Sequence, residues 1–358
     1  MALSVQEKER LSWYSPDGAP FALCGFPFFG RDGAYRRLQA VPPEPLPRDI
    51  DMLASSPSGG QIRFSACVSE IRLKVKLKRP AALGDNMIPL AIGGFDLYAS
   101  EDGLHYTFAG VTRFSPAGAE YESVLLHMNE KRRLDFIIHF PIFCPVESVL
   151  LGMDGAPTPP PPFERKERIL VYGGSIMQGF CASRPGMTMP NQLSRRLNRE
   201  VINLGFNGNS RCEREVALAI REIEDADWLI ISPEGNCPDA EFIRTHMTAF
   251  IALYREKQPQ TKIAVMSYMR EGRETFDREA LEMRRAKRQC EREIVESFRN
   301  AGDEQIFFWD GEAFSTGEED VVFGPFSAGD EATTDHTHKS DLGFWLMTDG
   351  VMRRLSES

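Results

Sequence analysis

No run in this 358-residue chain is long and apolar enough to cross a bilayer, so a transmembrane helix is excluded. Met1 to Arg10 lacks the apolar segment of a secretory leader, and a cytoplasmic protein is expected. The seven cysteines (Cys24, Cys67, Cys144, Cys181, Cys212, Cys237 and Cys290) show no framework spacing and no Cys-x-x-Cys pair. A disulfide scaffold is excluded, and reduced thiols are expected. Positive charge is in deficit: 42 Lys and Arg against 52 Asp and Glu leave a net charge of −10. Nucleic acid and anionic membranes are therefore not expected as main partners. One basic run, Arg284-Arg285-Ala286-Lys287-Arg288, falls in a predicted helix with Glu279, Glu282, Glu291 and Glu293. Ion pairs on a solvated face are expected there. Histidine is scarce as well, with six in the chain.

The length suits two domains, and the composition is that of a globular protein. Residues 1–156 read as a β-sandwich domain. Within them, Ile71 to Lys78 alternates strictly between apolar and cationic residues, the period of a strand with one buried face. The lysines on its wet face are expected to discourage edge pairing. Further short strands are expected at Phe95–Tyr98, Tyr106–Val111, Ser123–His127 and Leu134–Phe140. The aromatics Trp13, Tyr14, Phe26, Phe28 and Phe29 are assigned to core or domain interface. Residues 157–165 carry four consecutive prolines, Pro159 to Pro162, and read as a stiff linker.

From 166 to 358 the pattern becomes strand–helix alternation. Strands are expected at 168–172, 200–204, 227–232, 262–267 and 305–309, with helices at Arg211–Ile223, Ala240–Tyr254 and Phe276–Phe298. Such alternation implies an α/β fold with a mainly parallel sheet and helices on both faces. The first strand runs into Gly173-Gly174-Ser175-Ile176. That places Ser175 at a carboxyl edge, where open α/β sheets bind ligands, and a serine nucleophile needs such exposure with oxyanion donors nearby. A helix-capping serine is the bland alternative. The next two strands end in Asn207-Gly208-Asn209-Ser210 and Gly235-Asn236-Cys237. The N–H groups of Ser175 and Gly208 and the amide of Asn236 could form a three-donor oxyanion hole. For the base, His105, His127 and His139 lie in the β half, and His246 sits in a predicted helix on a face with Ile243 and Phe250. Thr334 to Phe344 remains, where Asp335 and His338 are close enough for a carboxylate to orient an imidazole.

These blocks, in this order over about 170 residues, resemble the SGNH hydrolases, the GDSL-type esterases and lipases. The whole chain is similar to the branch of that family with an N-terminal β-sandwich bearing a Gly-x-Asp-Leu-Tyr signature, here Gly94 to Tyr98. The resemblance implies a three-layer α/β/α hydrolase domain with Ser175, His338 and Asp335 as triad and Ser175, Gly208 and Asn236 as oxyanion hole. Three positions depart from the family pattern. Gly174 stands where aspartate or threonine is often found, Cys237 where aspartate often follows the asparagine, and Lys339 where proline often follows the histidine.

The activity expected is hydrolysis of short, acetyl-type carboxylic esters of sugar-like alcohols. Acyl transfer by the same triad and a non-catalytic carbohydrate-binding protein are the alternatives. No cofactor or metal is expected. His336 and His338 have a zinc-like His-x-His spacing, but no other His or Cys cluster completes a ligand set. The β domain is expected to wall one side of the site, and a homo-oligomer is an open possibility.

Overall fold

The computed structural model describes residues 11–81, 84, 86–316 and 331–357; the stretch Met1 to Arg10 lies outside them. The first half contributes eight strands: β1 (Ser12–Tyr14), β2 (Ala22–Cys24), β3 (Gln61–Leu77), β4 (Asp96–Ser100), β5 (Thr107–Val111), β6 (Glu120–His139), β7 (Val146–Met153) and β8 (Pro157–Thr158). They form one antiparallel sheet in the order β1-β7-β3-β6-β4-β5, with β2 and β8 also on β3. A single sheet suffices because β3 and β6, of 17 and 20 residues, pair along nearly their whole length and serve both halves of the domain. The runs Ser123–His127 and Leu134–Phe140 are therefore one strand. The polar residues between them are exposed and bulge out of the ladder, since Ser69 alone stands between the pairs Val68–Arg132 and Glu70–His127.

Ile71, Leu73, Val75 and Leu77 are buried, as the alternation predicts. Their strand is nevertheless central and not an edge, with β6 on one side and β7 on the other. Its cations ladder across the sheet, Lys76 to Glu147 at 2.9 Å and Arg72 to Glu122 at 3.2 Å, and Lys74 lies 3.8 Å over the Trp13 ring. Phe26 is core, edge-on to Phe140, while Phe29 stacks on Tyr35. In the proline-rich segment, Pro157 and Thr158 pair with Ala66 and Ser65.

The second half supplies β9 (Arg168–Gly173), β10 (Val201–Gly205), β11 (Ala226–Ser232), β12 (Lys262–Met266) and β13 (Ile306–Trp309), a parallel sheet in the order β10-β9-β11-β12-β13. Ile169, Leu170, Val171 and Tyr172 are all fully buried, as a strand covered on both faces requires. Their side chains alternate between two cores. Ile169 and Val171 join the helices Met189–Leu197 and Asp341–Glu357 and the core of the β domain. Leu170 and Tyr172 join the helices Arg214–Ile220, Ala240–Arg255 and Arg278–Asn300. Three layers result.

Residues before β3 belong to both halves. Leu38, Ile50 and Ala54 pack in the second core. The buried Arg37 donates to the carbonyls of Asn203 (3.1 Å), Gly205 and Leu53 (2.7 Å). Ser58 Oγ donates to the Gln178 carbonyl at 2.6 Å. Among the described residues, no helix is long and apolar enough to cross a membrane.

Candidate active site

The strand order reverses at β9, because the chain goes to β10 on one side and to β11 on the other. The loops after β10 and β11 therefore flank the loop after β9, the arrangement in which open α/β sheets form ligand crevices. Ser175 opens the four-residue helix Ser175–Gln178, with Gly174 as the preceding residue. Its N–H is among those with no partner inside the helix. Gly173 leaves no room for a side chain, since a Cβ would stand 2.6 Å from the Ser232 carbonyl oxygen of the neighbouring strand.

His338 arrives from the loop before the last helix. Its Nε2 lies 3.0 Å from Ser175 Oγ and its Nδ1 lies 2.8 Å from Asp335 Oδ2. Asp335 Oδ1 also accepts the backbone N–H groups of His338 (2.8 Å) and Thr337 (3.2 Å). Burial works to raise the Asp335 pKa, but these N–H groups and the imidazole hold it below the usual carboxylate value. The Phe180 ring lies against the imidazole, 4.5 Å between centroids. A neutral imidazole so oriented can accept the serine proton and return it to a leaving alcohol.

Gly208 has φ +70°, a left-handed conformation that favours glycine, in a loop fixed by Asn207 N–H donating to Gln178 Oε1 at 2.8 Å. Asn236 lies beside Gly174 and uses its amide to hold the Asn209 carbonyl, which ties the two flanking loops together. Both loops border a cavity of about 390 Å³ that Ser175 and His338 also line. Four of the five residues singled out in the sequence, Ser175, Gly208, Asn236 and His338, therefore line one cavity, and the fifth, Asp335, is bonded to His338. His336 sits in the same loop at φ +68°, and its carbonyl accepts Gly272 N–H at 3.2 Å. Among the described residues, the group of metal-ligating composition is Cys181, Asp335 and His338, with donor atoms within 4.8 Å. There the carboxylate and imidazole bond to each other, and burial with the neighbouring Asp335 pushes the Cys181 thiol up to about 12. His246 stacks on Phe242 in its helix.

The rest of the cavity wall was not visible in the sequence. Tyr268, Glu271, Glu274, Met283, Arg284 and Lys287 line it. Arg284 is an inward ion-pair centre and not part of a solvated face: it meets Glu234 at 3.0 Å, Glu271 at 2.8 Å and Glu274 at 3.5 Å. Burial opposes its charge, but these carboxylates raise its pKa above the usual guanidinium value. Lys287 donates to the Cys237 carbonyl at 2.6 Å. Arg284 and Lys287 together clamp the loop that carries Asn236. Arg285, one position on, does pair on the surface with Glu282 at 3.6 Å. The helical period itself is the missed signal: positions 284, 287 and 291 share one face, and that face points inward. Lys339 is also buried, which pushes its pKa down to about 8.

The Gly-x-Asp-Leu-Tyr signature joins the two halves. Asp96 is fully buried, accepts from His139 Nδ1 at 2.8 Å, and holds Arg184 (2.9 Å) and the Gly186 N–H (2.7 Å) of the loop after the Ser175 helix.

Two family models divide the chain between them. One described as the GDSL-like lipase/acylhydrolase family matches residues 166–356, and one described as the N-terminus of SGNH-hydrolase-type esterases, with the GxDLY signature, matches residues 11–157. The chain belongs to the GDSL-like lipase/acylhydrolase family and is a carboxylic ester hydrolase by class. It is similar over 97% of both chains to a protein from Bacteroides ovatus assigned as a GDSL-like lipase, with 28% identity and a TM-score of 0.85. The salicylyl-acyltransferase SsfX3 from a tetracycline biosynthetic pathway shares the fold at TM-score 0.73, with 16% identity over 98% of each chain. The acetyl xylan esterase Est2A from the rumen bacterium Butyrivibrio proteoclasticus shares it at TM-score 0.60, with 12% identity over 97% of this chain and 98% of that one. No curated protein matches the sequence.

Proposed function

We propose that the protein is a serine esterase that removes short, acetyl-type acyl groups from polar, sugar-like alcohols through an acyl-enzyme on Ser175. The observation that carries this reading is the chain of contacts from Ser175 Oγ to His338 Nε2 (3.0 Å) and from His338 Nδ1 to Asp335 (2.8 Å). Ser175 attacks the ester carbonyl as His338 takes its proton, and the N–H groups of Ser175 and Gly208 and the amide of Asn236 receive the oxyanion. His338 then protonates the departing alcohol, and water attacks the acyl-enzyme by the reverse path. No step calls for a metal or organic cofactor.

Glu271, Glu274 and Arg284 give the cavity a polar wall. It suits an alcohol with hydroxyl groups better than a long acyl chain. Carbohydrate esterases among the fold relatives, such as the acetyl xylan esterase, agree with that substrate class. Transfer to an alcohol or amine acceptor is the second reading, favoured by the acyltransferase on the same fold. An acyl-enzyme does not dictate its acceptor.

The test is labelling of wild type and Ser175→Ala by a serine-directed fluorophosphonate, read by intact mass, beside turnover of short- and long-chain aryl esters and acetylated sugars. Labelling and short-ester turnover in the wild type alone support the esterase. Labelling without turnover until an acceptor is added supports transfer. Neither labelling nor turnover rejects both readings.

A further inference from the structure

We infer that Asn86 of the β domain is a positioning residue for the Asp335–His338 pair. Its Nδ2 donates to Asp335 Oδ2 at 2.6 Å, across 249 positions of sequence. Oδ2 then carries two donors, Asn86 and His338 Nδ1, while Oδ1 carries the N–H groups of Thr337 and His338. Four donors occupy about four lone-pair sites of one carboxylate, which leaves its plane little freedom to rotate. Three of those donors lie within three residues of Asp335 and would move with its loop. Asn86 is the one that fixes the loop to a different domain.

Two further observations support the assignment. Asn86 is exposed, and among the described residues Asp335 is the hydrogen-bond partner its side chain has. The segment that carries it turns back on itself through a bridge between Gly84 and Met87 and is anchored by the Met87 side chain, which is buried in the core. The same domain also supports the imidazole ring, because Phe143 packs edge-on against Phe180, 5.9 Å between centroids, and Phe180 lies against His338. The β domain thus reaches the imidazole through two contacts, Asn86 by way of Asp335 and Phe143 by way of Phe180. Of the two supports, Asn86 acts on the carboxylate that orients the proton-accepting nitrogen.

The inference rests on the proposed triad, so the experiment includes Ser175→Ala. Full-length wild type, Asn86→Ala, Asn86→Asp and Ser175→Ala are compared for kcat, KM, the pH dependence of kcat/KM and Tm. Asn86→Ala is expected to lose about ten- to thirty-fold in kcat with KM unchanged, the low end of the scale of one hydrogen bond to a charged group. Its Tm should stay within about 2 °C of wild type, as for surface substitutions. Asn86→Asp keeps the shape but sets a second negative charge beside Asp335. That favours the imidazolium, and the acid limb of kcat/KM should move to higher pH. Wild-type kcat in Asn86→Ala with an unmoved acid limb in Asn86→Asp overturns the inference. So does a loss in both variants that follows Tm or KM while the pH profile stays in place. An active Ser175→Ala overturns the triad and this inference with it, whereas an inactive Ser175→Ala beside a silent Asn86→Ala removes Asn86 alone.

Discussion

Gly174 is packed against the amide of Asn236 so closely that a Cβ at 174 would stand 2.3 Å from Asn236 Nδ2. The glycine that departs from the family pattern therefore belongs with this chain's placement of Asn236. Behind it, a Cβ at Gly235 would meet the Tyr268 hydroxyl at 2.3 Å, so the Asn236 loop is pressed between β9 and Tyr268. Gly174→Ala should displace the amide, the movable partner in that contact, with little cost to the backbone. Loss of one oxyanion donor costs about 10²- to 10³-fold in kcat. Steady-state kinetics on a short aryl ester together with Tm should show that loss in a protein that still unfolds near the wild-type temperature.

The Ser175, His338 and Asp335 side chains are hydrogen-bonded in a chain, and in the proposed mechanism they act as a unit, so their removal should not be additive. Ser175→Ala and His338→Ala are each expected to cost about 10⁴- to 10⁶-fold in kcat, and the double variant should be no worse than the poorer single. Dialysis against a chelator should leave the wild-type rate unchanged. A rate restored only by added metal would contradict the mechanism.

Arg284 pairs with three buried carboxylates from two segments, Glu234 before Asn236 and Glu271 and Glu274 after β12. Arg284→Met would leave Glu234, which is fully buried, without its cation. Removing one partner of a buried pair costs about 3–5 kcal/mol. Chemical denaturation should show a loss of that order. Activity should fall with it even where the variant remains folded, because the Asn236 loop loses its clamp.

Acid should destabilise the junction of the two halves. The Arg195 guanidinium lies 3.2 Å from His139 Nε2 and can only donate, so that nitrogen accepts and the imidazole is neutral with Nδ1–H directed to Asp96. Burial lowers the His139 pKa from 6.5 to about 4, against the pull of Asp96. The unfolded chain therefore takes up a proton before the folded one does. This contribution to stability is complete above pH 6.5, declines as the pH falls, and is gone below about 4; it amounts to about 3 kcal/mol. Stability measured across that window should fall less in His139→Gln than in wild type.

The parallel sheet was legible because each strand is a short apolar run and each intervening helix has a 3.6-residue period. Both are local signals. The Asp335–His338 pair was legible for the same reason, since three residues of one loop hold both groups. Arg284 and Lys287 were read as solvated because charge in a helix is usually exposed. Nothing local shows that Glu234, 50 residues earlier, would be buried opposite Arg284. The β domain was harder still, because a polar stretch such as Asn129 to Lys131 looks like a turn, and only the pairing of the residues on either side shows it to be a bulge within one long strand.

The order of residues along the chain was enough to show which chemical groups could act: a serine after a buried strand, two glycine–asparagine loops at the ends of its neighbours, and a carboxylate three residues before an imidazole. These follow from backbone preference and short-range spacing, which any stretch of chain carries without knowledge of the rest. Folding in three dimensions was needed to bring His338 to Ser175 across 163 positions and Asn86 to Asp335 across 249, and to turn Arg284 and Lys287 of a basic helix inward to hold the Asn236 loop. Those contacts depend on how two cores pack against each other. Such packing is set by the summed burial of many side chains and is not written at any one position.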